Sequence, residues 1–337
     1  VDKLFNKILV TGGAGYCGSL LVPQLLDQGY KVTVYDVMYF GNDFLPKKNP
    51  NLTIVDGDIR DTAKLKAAVA GHDAFVSLAC ISNDASFELD EKLSTSVNLD
   101  AFEPMVVAAK DAGIKRFIYA SSSSVYGVSD KPDVTEDHPL VPLTLYNKYK
   151  GMCEPLLGKH TSDTFTGVIF RPATVCGHAP RQRFDLSVNI LTNHAVNANK
   201  ITVFGGSQQR PNLHVQDYCD AVKLFLTAPT EKVQNEIFNV GTQNLTIMQI
   251  AELVRNVVAQ EFPEKGKVEI VTTPSDDLRS YHINSDKIKR ALGFVPKHTV
   301  EDAVRDLCKA FRDGRLPNSM DDDRYFNVRR LKRLQAA

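Results

Sequence analysis

The sequence predicts a doubly wound α/β fold, in which helices cover both faces of a parallel sheet and a smaller mixed α/β part follows. Three observations predict it. Short β-branched runs alternate with helix-period segments through the first half; a glycine-rich turn joins the first run to the first helical segment; and beyond residue 163 the alternation loosens. Strand, helix, strand at this spacing makes βαβ units, whose right-handed crossovers place a ligand crevice at the carboxyl ends of the strands.

The strand expectations, in order, are Lys7–Thr11, Lys31–Asp36, residues 52–55, residues 74–78 and Arg116–Ala120, each rich in Val, Ile, Phe, Thr or Tyr. Between them, residues 16–28, 62–70 and 97–112 carry apolar side chains at helical spacing, as in Leu21 with Leu25 and Val22 with Leu26. In the second half, strands are expected at residues 165–170 and 201–204 and at Glu236–Val240. Helices are expected at residues 185–198, 216–227 and 246–260, and at Asp286–Leu292 and Val300–Arg312. The division is residues 1–163 for the sheet domain, 164–316 for a mainly substrate-binding part with some segments returning to the sheet, and 317–337 for a charged tail. That tail reads as a solvated segment or helix, with a regulatory or subunit contact as the alternative.

Composition excludes several classes. A chain of 337 residues is long enough to bury about three quarters of its unfolded surface without staples. Forty basic residues balance forty acidic ones, which argues against a nucleic-acid partner. Six scattered cysteines form no C-x-x-C, so neither a zinc ribbon nor a metal site is expected, and single thiols suit a reducing compartment. No apolar run approaches the length of a membrane span, and no signal-peptide core precedes the first strand, so the expected location is the cytoplasm.

The turn after the first strand reads Gly12-Gly13-Ala14-Gly15-Tyr16-Cys17-Gly18, a G-x-x-G-x-x-G. Missing β-carbons let the backbone approach a pyrophosphate, and the helix N-terminus offers free N–H groups to the anion. A glycine triplet alone also occurs in ordinary βα turns. Asp36, closing the second strand eighteen residues beyond Gly18, supplies the second half of a dinucleotide (Rossmann) signature. Its carboxylate accepts from ribose hydroxyls and repels a 2′-phosphate, and no arginine follows directly, which favours NAD over NADP. Asp58 and Ile59 are placed to meet the adenine.

Tyr146 and Lys150 stand at i and i+4, one above the other on a helix. An ammonium one turn away and an oxidised nicotinamide would lower the phenol's pKa, making Tyr146 an acid/base. Upstream, residues 121–127 (SSSSVYG) offer hydroxyls to the reacting oxygen.

With these motifs the chain resembles the extended short-chain dehydrogenase/reductases over nearly its whole length, on residues 11–18, Asp36, residues 58–61, Leu78-Ala79, residues 121–127 and residues 146–150. The resemblance implies Ser122, Tyr146 and Lys150 as catalytic residues. It implies a cofactor site of Gly12, Gly15, Tyr16, Cys17, Gly18, Asp36, Asp58, Ile59, Leu78, Ala79, Asn98, Tyr146 and Lys150. The second half resembles the nucleotide-sugar epimerase/dehydratase branch, through Arg171-Pro172, the Arg210-x-x-x-His214-Val215-x-Asp217 segment and Arg279. That implies a nucleoside-diphosphate sugar as substrate, held by Ser82, Ser124, Thr174, Asn189, Phe204, Arg210 and Arg279, the two arginines on the diphosphate. It also implies a homodimer built on residues 97–112 and the helix of Tyr146.

Some positions depart from that branch. Thr174 stands where many members have asparagine. Residues 81–84 (ISND) read either as a substrate contact or as an Asx turn. His178, Arg181 and Arg183 form a polar cluster open to functional and surface readings. Ser123 and Ser124 replace the Asp-Glu pair with which dehydratases of the branch eliminate water, and Ser124 replaces the cysteine of some 3,5-epimerases. C4 epimerisation through a 4-keto sugar is therefore expected first, with a 4,6-dehydratase or 4-keto-sugar reductase as the alternative. A non-catalytic NAD sensor is the alternative of another class.

Overall fold

In the computed structural model, residues 3–275 and 280–336 are described. In chain order the strands are β1 (Lys7–Thr11), β2 (Lys31–Asp36), β3 (Leu52–Asp56), β4 (Ala74–Ser77), β5 (Arg116–Ala120), β6 (Thr166–Pro172), β7 (Thr174–Cys176), β8 (Lys200–Phe204), β9 (Gln209–His214), β10 (Glu236–Val240), β11 (Gln243–Thr246) and β12 (Glu269–Thr273). The helices are α1 (Tyr16–Asp27), α2 (Thr62–Val69), α3 (Asp84–Phe87), α4 (Glu91–Thr95), α5 (Phe102–Asp111), α6 (Leu145–Gly158), α7 (Ser187–Ala198), α8 (Val215–Thr227), α9 (Thr230–Val233), α10 (Ile247–Glu261), α11 (Asp286–Leu292), α12 (Val300–Arg312) and α13 (Asn327–Ala336).

Seven strands make one parallel sheet in the order β10-β6-β5-β4-β1-β2-β3. Successive side chains of β1 go to opposite faces, Ile8 and Val10 into one core and Leu9 into the other, and all three are fully buried. That is why this strand reads as an unbroken apolar run. Leu21, Val22 and Leu25 of α1 and Val222 and Phe225 of α8 fill the first core. Leu65 of α2, Met105 and Val106 of α5, and Cys153 and Leu157 of α6 fill the second. The strand order reverses between β1 and β4, so the chain leaves those two strands in opposite directions and opens a crevice at their carboxyl ends.

A second layer stands over that crevice. A three-stranded sheet, β11-β9-β7, and a two-stranded one, β12-β8, pack with α7, α10 and α12 around Val188, Leu191, Ile201, Val203, Val254, Val258 and Val304. The sequence gives no alternation for β9 (QRPNLH) or β11 (QNLT); these short strands exist because they pair with each other and with β7. β6 and β10, from the second half of the chain, belong to the large sheet.

Two expectations change. Residues 97–112 do not form one helix: a π turn, Ser96–Asp100, precedes α5. The wider turn accommodates Asn98, whose amide bonds both backbone groups of Ile81. The charged tail is not merely solvated. It carries α13, Phe326 and the preceding Leu316 are buried against Phe184, Leu307 and Ala310, and Arg330 Nε donates to Tyr39 O at 2.5 Å.

Phe326→Ala removes the tail's central anchor, for which about 3 kcal/mol is the usual cost. Tryptic cleavage within residues 324–333 should then accelerate by about a hundredfold, since cleavage follows the population of the open form. An unchanged rate would show that the tail is not held by this packing.

Candidate active site

The glycine turn sits at the reversal point. Gly12 has φ +71°, and a β-carbon on it would lie 2.6 Å from Ala79 N, so β1 and β4 approach there only because the side chain is absent. A β-carbon on Gly18 would lie 2.6 Å from Gly12 O, which shows how tightly α1 is drawn against the turn. Gly15, the residue before α1, gives it no side-chain cap, so the first N–H groups of the helix remain available to an anion. Asp36 closes β2, one carboxylate oxygen accepting from Ala14 N (3.0 Å) and the other from Met38 N (2.9 Å). Burial pushes its pKa up, against the lowering effect of those two bonds.

A cavity of about 660 Å³ runs from this turn along the carboxyl ends of the strands and under the second layer. Tyr146 and Lys150, on α6, line it together with Ser122 and Ser124. Thr144 caps α6 through a 3.3 Å bond from Asn147 N, which fixes where the helix that carries Tyr146 begins. Lys150 Nζ donates to Ala120 O at the end of β5 (2.8 Å) and lies over the Tyr119 ring. The hydroxyls of Ser122 and Ser124 are 2.6 Å apart, and Ser124 Oγ donates to Asn147 Oδ1 at 2.5 Å. Burial raises the Tyr146 phenol well above its ordinary value; Cys80 and Asp84 add to the rise and Arg183 opposes it. The lowered value expected from the sequence is therefore not a property of the protein alone: it requires additional positive charge in the cleft.

Behind these groups lies a buried ion pair. Arg171 of β6 donates through Nε (2.9 Å) and Nη2 (2.6 Å) to the two oxygens of Glu154 on α6, with side chains 3% and 4% exposed. Glu154 also accepts from Ser121 Oγ (2.6 Å), and Arg171 Nη1 donates to Tyr126 OH (2.7 Å) and Glu136 O (3.1 Å). Tyr126 OH in turn donates to Asn239 Oδ1 on β10.

The cavity brings together Gly12, Gly15, Tyr16, Cys17, Gly18, Asp36, Asp58, Ile59, Leu78, Ala79, Ser82, Thr174, Phe204 and Arg210 with the catalytic candidates. Two expected contacts are placed elsewhere. Asn98 is not among the residues that line the cavity, and its amide bonds both backbone groups of Ile81 in the loop after β4. Asn189 is fully buried; it accepts from Gly177 N and donates to Tyr16 OH and Arg183 O. Both therefore hold the walls rather than face the cleft. Arg279 lies outside the described residues. In residues 81–84 the turn is formed: Asn83, at φ +71°, caps α3 by accepting from Ser86 N, and Asp84 lines the cavity and accepts from Thr144 Oγ1 at 2.6 Å. Asn147, Glu154 and Asn327 were not expected. Glu154 had a signal, standing four residues beyond Lys150 on the face of Tyr146 and Lys150, whereas Asn327 bonds Ser82 from 245 positions away and had none.

A glycine turn at a strand-order reversal, an acidic end to β2 and a Tyr/Lys/Ser cluster over the same cleft define a dinucleotide-dependent oxidoreduction site. The family model for the NAD dependent epimerase/dehydratase family matches residues 8–241, and the chain belongs to that family. It is 29% identical over 325 residues to a UDP-glucose 4-epimerase of Lactobacillus helveticus, covering 88% of this chain and 94% of the relative. It is also 29% identical over 329 residues to a dTDP-glucose 4,6-dehydratase of Streptomyces niveus, covering 92% and 94%. The crystal structure of a Thermotoga maritima UDP-glucose 4-epimerase with UDP-glucose superposes with a TM-score of 0.81 at 26% identity, covering 91% of this chain and 99% of that one. The cofactor is NAD, and the residues present fit it: the first turn of α1 has no side-chain cap, Gly12, Gly15 and Gly18 line the cavity without side chains, and the Asp36 carboxylate lines the same cavity at the end of β2. No helix among the described residues is long and apolar enough to cross a membrane.

Glu154→Gln leaves the Arg171 guanidinium buried beside a neutral amide, which typically costs about 3–5 kcal/mol. A fall of several degrees in the thermal midpoint by circular dichroism is expected, together with reduced turnover. An unchanged midpoint would mean that the pair does not hold α6 against β5 and β6.

Proposed function

We propose that the protein epimerises a nucleoside-diphosphate sugar at C4 through a transient 4-keto sugar. The observation that carries this reading is the convergence of Tyr146, Lys150, Ser122 and Ser124 on the cavity that also holds the glycine turn and Asp36. When bound, NAD supplies the acceptor for a hydride and returns it. Tyr146 takes the proton of the C4 hydroxyl and gives it back; the Ser122 and Ser124 hydroxyls orient the reacting oxygen; and Lys150, anchored on Ala120 O, adds the positive charge that favours phenolate. Arg210, stacked on the Tyr281 ring at 5.4 Å, and Phe204, 59% exposed at the end of β8, suit the diphosphate and base of the substrate. The family also contains dehydratases, and Asp84 favours that second reading, since it is a carboxylate on the wall near Tyr146. Ser123 disfavours it, being 1% exposed and an alcohol where an acid is needed.

Six unpaired cysteines support placement in the cytoplasm. Leu145 and Met152 on the outer side of α6 support a homodimer through α5 and α6, for which a dimer mass by light scattering at micromolar concentration is the test.

Incubation with UDP- and dTDP-sugars, read by mass and proton NMR, should give a stereoisomer of unchanged mass; loss of water would select the dehydratase instead. Tyr146→Phe keeps the packing and removes only the hydroxyl. It should bind NAD normally and lose at least about a hundredfold in turnover. Near-normal turnover would exclude Tyr146 as the acid/base.

A further inference from the structure

Two arginines in the cleft are used by none of these steps. Arg181 and Arg183 leave the loop between β7 and α7, both line the cavity, and they are only 5% and 8% exposed. Arg181 is seated on the cofactor side: its backbone N–H donates to Ser19 Oγ of α1 (3.0 Å), and its guanidinium lies 3.6 Å over the Phe40 ring. Nη2 donates to Asn327 Oδ1 of the C-terminal segment at 2.7 Å, while Nε is buried with no partner among the described residues. Arg183 donates through Nε to Asp185 Oδ1 (2.5 Å) and through Nη1 to Ser82 Oγ (2.9 Å), and its buried Nη2 also lacks a partner. Asp185 is thus the one carboxylate directly paired with the two guanidiniums among the described residues. Two guanidiniums share one directly paired carboxylate, each keeps a buried donor atom without a partner among the described residues, and both side chains line the cavity, so an anion in the cleft would face two under-neutralised cations.

We propose that Arg181 and Arg183 form the second half of the dinucleotide's pyrophosphate site, facing the same anion as the first turn of α1, with Asn327 of the C-terminal segment setting the Arg181 guanidinium. The position of Arg181 favours the cofactor over the substrate as the source of that diphosphate: it is tied to α1 and Phe40, next to the glycine turn, whereas Arg210 and Phe204 stand at the other layer. The C-terminal segment then has a function. It is docked by Phe326 and by Asn327 on Ser82, Arg181 and Asp185, and it closes the cofactor end of the cleft.

The proposal rests on the family's use of NAD, and its test reads binding rather than turnover, so it fails independently of the epimerase reading. Protein loaded with NAD+ is mixed with excess etheno-NAD+, and exchange is followed by fluorescence. Arg181→Met, which keeps length and the stack on Phe40, should release NAD+ at least about tenfold faster, the scale of a lost hydrogen bond to a charged group. Asn327→Ala should act in the same direction to a smaller degree, and its fold is safeguarded by the unchanged Phe326. The advantage of ADP over adenosine in displacing the cofactor should shrink by a similar factor in Arg181→Met, while UDP and dTDP affinities of the holoprotein stay within about twofold. Equal exchange rates in Arg181→Met and wild type would overturn the proposal. So would a tenfold loss of UDP or dTDP affinity with exchange unchanged, which would assign the pair to the substrate.

Discussion

The buried contact between Arg171 and Glu154 is the constraint from which the catalytic geometry follows. Glu154 belongs to the helix that carries Tyr146 and Lys150; Arg171 belongs to β6; Ser121, bonded to the same carboxylate, begins the turn that carries Ser122 and Ser124. One ion pair therefore fixes the phenol and the serine hydroxyls relative to each other, in a region where neither charge reaches water. Such a pair adds little to stability compared with an apolar substitute, but it allows only one arrangement of its partners. The extra bonds to Tyr126 and Glu136 use both hydrogens of Nη1, so every nitrogen of the buried guanidinium has a partner.

Rigidity behind the wall matters because the chemistry in front of it is electrostatic. Burial pushes the Tyr146 phenol up, so in the proposed reaction its ionisation is favoured by the positive charge that an oxidised cofactor brings. Arg181 and Arg183, which line the same cleft, are buried as well. In the proposed reading both features make the site respond to a bound cofactor. The C-terminal segment, bonded to Ser82, Arg181 and Tyr39, ties a part distant in the chain to the same cleft.

Much of this was legible in the sequence, and the limits have physical causes. β1, β2, β5, β10, α11 and α12 have the bounds that periodicity and β-branching predict, because strands buried on both faces and amphipathic helices advertise themselves locally. The glycine turn, Asp36 and the Tyr146/Lys150 spacing are equally local. What stayed hidden depends on contacts distant in the chain. Asn98 and Asn189 look like ligands in the motif yet are consumed by backbone groups of their own walls, and only the π turn and the fully buried environment reveal it. β9 and β11 exist through pairing rather than pattern. The tail's charges suggested solvation, because one phenylalanine and one asparagine that decide its docking are too few to form a pattern. Glu154 was readable from spacing alone, four residues after Lys150.

The central claim is that a hydride leaves and returns to the same sugar carbon within one closed cleft. The most direct measurement is a reaction of nucleotide sugar carrying deuterium at C4, run to equilibrium in ordinary water and read by NMR and mass spectrometry. The claim predicts a C4 epimer that retains its deuterium at C4, with no exchange into solvent and no change in mass. Washout of the label, or its appearance at C6 with loss of water, would contradict it.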